Sequence, residues 1–141
     1  MTTRAKEIVL VGVGALCALT SAVLHLMLVP AHLEEMPYIG VLFLIGGAAL
    51  ILVALGLFRR NAAPAWVAGA LLSAGMIVGF TLSRTVGLPG GYQEVGWEPP
   101  YGTVSVIAEV VLLFAFAAWL GLSPVEPAAT TAPPAKVPVR R

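Results

Sequence analysis

The sequence predicts an all-α fold: a bundle of four transmembrane helices with both termini in the cytoplasm. Three observations predict it. The chain of 141 residues is 59% hydrophobic and only 11% charged, against about 25% charged in ordinary soluble domains. Its apolar residues gather in four runs, at 8–29, 38–58, 65–82 and 104–122, each near the ~20 residues that cross a ~30 Å hydrocarbon layer. Of the eight Lys and Arg residues, all but Arg84 lie in segments that this threading puts on one side. A mean hydropathy of +0.95 leaves too little polar surface to cover a soluble domain of this size, so the bilayer is the expected solvent.

The first run follows Arg4 and Lys6. It continues to Val29, beyond the ~7–15 apolar residues of a cleavable signal, and so predicts a retained membrane helix. Within it Gly14, Cys17, Ala18, Ser21 and His25 recur at helical spacing, a stripe of small and polar residues suited to close packing between membrane helices. Residues 30–37 read as a short connection bounded by Pro30 and Pro37. The second run ends at Arg59 and Arg60. The third carries Gly75 and Gly79 as a GxxxG pair, which favours a close helix contact without saying where. A long connection rich in Gly and Pro, residues 83–103, leads to the fourth run. None of the runs alternates polar and apolar residues, and lipid demands that backbone groups be satisfied internally, so helices are expected. Lys and Arg on the cytoplasmic side then place Arg84, Glu34, Glu35, Glu94 and Glu98 outside. Tyr38, Trp66, Trp97, Tyr101 and Trp119 fall near helix ends, where aromatic rings favour the interface. Residues 1–122 thus form one membrane domain. Residues 123–141, rich in Pro and Ala, read as a disordered cytoplasmic tail.

A faint internal repeat accompanies this order. Glu35-Met36-Pro37-Tyr38 and Glu98-Pro99-Pro100-Tyr101 precede the second and fourth runs, and Gly14-Ala15-Leu16 and Gly69-Ala70-Leu71 lie in the runs before them. Proline suits a first helical turn, and a carboxylate there is favoured by the helix dipole. Structural punctuation accounts for these residues; paired ligands at an outer vestibule are the functional alternative for Glu35 and Glu98.

Glu109 is the most informative residue. A carboxylate within a membrane helix is costly and marks a functional-site candidate. It lies ~8 Å along the helix from residue 104, with Ser105 one turn earlier on the same face. Arg84 ends the third run at the same side, so an Arg84–Glu109 ion pair is the first expectation. His25, Arg84 and Glu109 form the candidate binding cluster. His25 and His32, with Glu34 and Glu35, form a candidate metal site, since imidazole and carboxylate suit zinc, although the spacing of the two histidines matches no established ligand motif. The single cysteine, Cys17, permits neither an internal disulfide nor a CxxC redox pair. No G-x-S-x-G, HExxH or P-loop motif occurs, and Val11-Gly12-Val13-Gly14 falls inside a membrane helix rather than after a strand. No cofactor is implied. The net charge of +1 argues against nucleic acid as a partner.

The segments from His25 to Gly40, Ser83 to Gly90 and Glu98 to Gly102 resemble small multi-spanning membrane proteins of actinobacteria. The resemblance covers residues 8–122 and implies the four-span fold, but brings neither an activity nor site residues. Four-helix disulfide-forming quinone reductases are set aside for want of paired cysteines. Small multidrug transporters of four helices carry their carboxylate in the first helix, where this chain has His25.

The expected function is that of a multi-pass inner-membrane protein, non-enzymatic, accessory or structural, with its polar cluster on the outer side. The alternative is a small transporter or metal-handling protein built on His25, Arg84 and Glu109. Action on a lipid is a third option that no motif specifies. Besides the lipid bilayer, a second copy of the chain or another membrane protein is the expected partner.

Overall fold

A computed structural model describes residues 2–122; the tail expected at 123–141 lies outside the described residues. Four helices follow one another: α1 (Thr3–Glu35), α2 (Pro37–Leu57), α3 (Ala63–Thr85) and α4 (Tyr101–Leu122). All four are long and apolar enough to cross a membrane. Each packs against its neighbours in a closed cycle, α1 with α2, α2 with α3, α3 with α4 and α4 with α1.

Local chemistry sets the helix ends. Thr2 caps α1 by accepting the Ala5 N–H at 3.3 Å, which supplies one of the partners a helix start lacks. Pro37 opens α2 and Pro64 lies in the first turn of α3, where a missing N–H costs nothing. Before α3, Asn61 Oδ1 accepts from the Ala63 N–H at 3.3 Å. The Pro100 carbonyl accepts from Val104 N–H at 2.9 Å, starting α4.

One boundary departs from expectation. Pro30 lies inside α1, so residues 30–35 are helical and the connection to α2 is Met36 alone. A proline forfeits one backbone bond, but the turns on either side continue, and Met36 N–H closes the helix on the His32 carbonyl at 2.9 Å. At 33 residues, α1 is about 50 Å long, well beyond a ~30 Å apolar layer. The tight turn needs a glycine. A Cβ at Gly40 would lie 2.6 Å from the Leu33 backbone nitrogen. The two hairpins are therefore unequal, one residue joining α1 to α2 and a long loop joining α3 to α4.

The core fills the end of the bundle that holds the α2–α3 connection. The small stripe of α1 is largely buried there, with Gly14, Ala15, Ala18 and Ala22 packed toward Leu50, Val53, Ala54, Leu57, Trp66, Leu112 and Ala115. Trp66 is fully buried, stacked beside Trp119 and Phe116. The indole of this helix-end tryptophan points into the bundle, where Gly14 faces it. A Cβ at Gly14 would stand 2.7 Å from the ring. Gly75 and Gly79 behave differently. Nothing lies within 4 Å of a Cβ built at either, so the GxxxG pair makes no close contact inside this bundle.

Gly14→Ala is expected to destabilise the fold by about 1–3 kcal/mol, the usual cost of forcing a group into a packed core. Gly75→Ala meets open space and replaces a poor helix former, a gain of up to ~1 kcal/mol. Thermal unfolding of both variants in one detergent checks the contrast; equal melting temperatures would contradict this packing.

Candidate functional site

Two polar groups are built at the other end of the bundle, and a cavity joins them. The deeper group comes from α1 and α4. Ser21 and His25 are four residues apart, as are Ser105 and Glu109, so each pair shares a helix face. Ser21 Oγ donates to Glu109 Oε1 at 2.8 Å and Ser105 Oγ donates to the same oxygen at 2.9 Å. The two hydroxyl oxygens are 3.4 Å apart. His25 Nδ1 lies 2.9 Å from the Ser21 carbonyl oxygen and 3.3 Å from Ser21 Oγ. A carbonyl can only accept, so Nδ1 carries the hydrogen and a neutral ring keeps its lone pair on Nε2. Glu109 is 2% exposed. Both of its hydrogen bonds fall on Oε1; among the described residues none engages Oε2.

The expected Arg84–Glu109 pair is not formed. Arg84 turns instead to the α3–α4 loop. Its Nη1 lies 2.5 Å from Glu94 Oε2 and its Nη2 lies 3.2 Å from Glu98 Oε2. Its Nε–H donates to the Gly96 carbonyl at 2.7 Å and Nη1 also donates to Ser83 Oγ at 2.8 Å. The guanidinium carbon stands 3.6 Å from the Phe80 ring centre, a cation–π contact. The physical reason is reach and competition: Glu109 lies two turns inside α4, whereas the loop brings two carboxylates to the end of α3.

Glu94 ties this loop to the rest of the molecule. Its Oε1 accepts from Tyr92 Oη and faces His32 Nε2 at 3.3 Å, while His32 Nδ1 donates to the Leu28 carbonyl at 2.8 Å. Both nitrogens of His32 face acceptors, an arrangement that the doubly protonated ring satisfies. The His32 hydrogen bond, aided by Tyr92 and the Arg84 charge and opposed by partial burial, holds the Glu94 carboxyl at about 2, below its ordinary 4.5. Burial, with the adjoining carboxylate, pushes the Tyr92 phenol above its usual range. Tyr38 Oη donates to the Pro89 carbonyl at 2.5 Å, fastening the loop to α2 as well.

The metal site expected from His25, His32, Glu34 and Glu35 does not assemble. Among the described residues no group of three or more His, Cys, Asp or Glu side chains converges on a metal position. His25 and His32 lie two turns apart on α1, both in ring contact with Phe43, at 4.8 and 4.2 Å between centroids. Glu34 and Glu35 are exposed at the end of α1. Glu98 reaches Arg84 and Glu35 does not, so the two E-x-P-Y segments are not equivalent.

A cavity of about 370 Å³ lies between these groups. Its wall is mainly apolar, from Leu28, Phe43, Met76 and Phe80 among others, with Gly75 and Gly79 along one side. His25, Ser105 and Glu109 line its deep end; Arg84, Tyr92, Glu94 and Glu98 line its mouth. Along α3 it runs from Leu71 to Arg84, about 20 Å at 1.5 Å per residue. Its lining also includes Leu42 and Ile45 of α2 and Leu71 of α3, each more than half exposed. The packed core closes the opposite end.

Of the residues singled out in the sequence, His25, Arg84 and Glu109 all line this one cavity, without touching each other directly. Sequence reasoning missed Ser21 as the link between His25 and Glu109. It also missed Glu94, Tyr92 and Phe43. The paired i, i+4 spacings of Ser21/His25 and Ser105/Glu109 were a usable signal; the loop partners of Arg84 had none. No family model, curated protein or solved structure matches this chain.

Arg84→Gln strands Glu94 and Glu98. It is expected to cost about 2 kcal/mol, between the 0–1 of an exposed pair and the 3–5 of a buried one. The depressed Glu94 pKa gives the acid response its sign. Its stabilisation is complete above pH 4.5 and is lost as pH falls toward about 2. Melting temperatures recorded from pH 5 to pH 2.5 should therefore fall less steeply for Glu94→Gln than for the parent; parallel curves would remove Glu94 from this role.

Proposed function

We propose that the protein is a multi-pass protein of the plasma membrane that works without catalysis, as a small accessory protein holding a lipophilic molecule in the cleft between α2 and α3. The observation that supports this most is the buried Glu109 carboxyl group on a largely apolar cavity whose lining includes exposed side chains of α2 and α3. A cavity of about 370 Å³ falls in the ~300–1,000 Å³ range of small-molecule sites. Its apolar walls suit a ligand that arrives through lipid. The closed core at the other end favours holding over conduction. The Arg84, Glu94 and His32 network keeps the loop over the mouth.

In this reading the loop end faces outward and both termini face the cytoplasm, as the Lys and Arg distribution favours. In a Cys17→Ser background, a cysteine at the fully exposed Val95 should react with a membrane-impermeant maleimide in intact cells. A cysteine at Asn61 should react only after lysis; the reverse pattern would invert the topology.

Gly79→Leu tests the cleft. A side chain there projects into open space, so the protein should keep its stability within the ~0.5 kcal/mol typical of tolerated surface changes. It should nonetheless lose co-purifying or added lipophilic ligand. A variant that binds as the parent does would sink the assignment of the site.

A further inference from the structure

The polar atoms of the cleft have one chemical sense. At the deep end Glu109 offers Oε2 and His25, as a neutral ring, offers Nε2; both accept hydrogen bonds, and both residues line the cavity. The two nearby hydroxyl protons are committed to Glu109 Oε1. At the mouth the single guanidinium already serves Glu94, Glu98, Ser83 and the Gly96 carbonyl. Among the described residues three carboxyl groups and one guanidinium line the cavity, so its charge balance is acidic and the guanidinium's charge is already met by Glu94 and Glu98. An anionic ligand would meet no available positive group. A bare or hydrated metal ion would face walls of Leu, Phe, Met and Gly and, among the described residues, no ligand cluster. What remains unfilled is a position for a positive donor at Glu109, with an apolar body behind it.

We propose that the cleft binds a small lipophilic cation, an apolar body of about one or two rings or a short chain bearing a protonated amine, with Glu109 as its counter-ion. This rests on the reading of the cleft as a binding site and names its ligand class. The amine hydrogens would meet Oε2 of Glu109 and Nε2 of His25. The body would lie along Gly75 and Gly79, against Phe43 and Phe80. Access is lateral, between α2 and α3, where the missing side chains of Gly75 and Gly79 leave room. The charge is the source of selectivity: a hydrogen bond to a charged group is worth more than one between neutral groups, and removing one member from a water-poor site leaves the other stranded.

Three probes that differ only in their heads decide the matter: 4-phenylbutylamine, 4-phenylbutanol and 4-phenylbutyrate. Their binding to the full chain in lipid nanodiscs is measured by calorimetry, with empty nanodiscs subtracted. The amine should bind saturably and about tenfold or more tighter than the alcohol, and the butyrate weakest of all. Glu109→Gln, which keeps the shape and the acceptor for Ser21 and Ser105, should bring the amine-to-alcohol ratio close to one. Gly79→Leu, or Gly75→Leu should the first misfold, should abolish saturable binding of all three. Absence of saturable binding by any probe to the parent would overturn the cleft as a binding site, and this proposal with it. Saturable binding that favours the alcohol or the butyrate, or an amine preference that survives in Glu109→Gln, would overturn the ligand class alone and leave the cleft standing.

Discussion

Close approach along α1 is the constraint on which the rest of the structure depends. In a bilayer, where the proposed function puts this bundle, apolar helices have no hydrophobic drive to associate, and packing contacts and interhelical hydrogen bonds hold them together. The sequence of α1 supplies both in order. Gly14 admits the Trp66 indole, Ala18 and Ala22 are fully buried, and about one turn after Ala18 the polar members of the stripe begin. Ser21 then bonds α4 through Glu109. A single helix face thus changes from van der Waals contact to hydrogen bonding along its length.

That change divides the molecule. Where α1 offers glycine and alanine, the bundle closes around Trp66, Leu50, Leu57 and Leu112. Beyond Ser21 the groups at the centre are His25, Ser105 and Glu109, and the wall of α3 is thinned by Gly75 and Gly79. The result is a cavity with polar ends and apolar sides. The loop after α3 completes it. Glu94 collects Arg84, Tyr92 and His32 on one carboxyl, so the charge that ends α3 is spent at the mouth and never reaches the base. Among the described residues the hydrogen bonds to Glu109 fall on one of its two oxygens.

The fold was largely legible in the sequence, and the site was legible by its members more than by its bonds. The apolar lengths mark the four helices, because length against a fixed thickness is a one-dimensional property. The stripe from Gly14 to His25 turned inward for the same reason: its spacing is a property of one helix. Pro30 did not end α1, since proline removes one backbone bond and the neighbouring turns kept theirs. The inward direction of the Trp66 indole depended on a glycine more than fifty positions away in the chain. Arg84 was paired with Glu109 by proximity in depth, but the long loop offered carboxylates at shorter reach. His25 and His32 were grouped by sequence distance, and two turns of helix and the Phe43 ring keep them from a shared ion.

By itself the sequence determined the four membrane-length helices, their order, and which ionisable residues would sit among apolar ones. Composition and periodicity act within a segment, and each of these statements concerns segments taken singly. Only the tertiary structure decided the partners: Glu109 with two serines, Arg84 with the loop acids, His32 with Glu94, and Gly75 and Gly79 with no close neighbour among the described residues. Those outcomes are set by distances between helices and by the path of one loop. A hydrogen bond or ion pair falls away within an ångström or so, so partner choice turns on a precision that spacing along the chain does not carry.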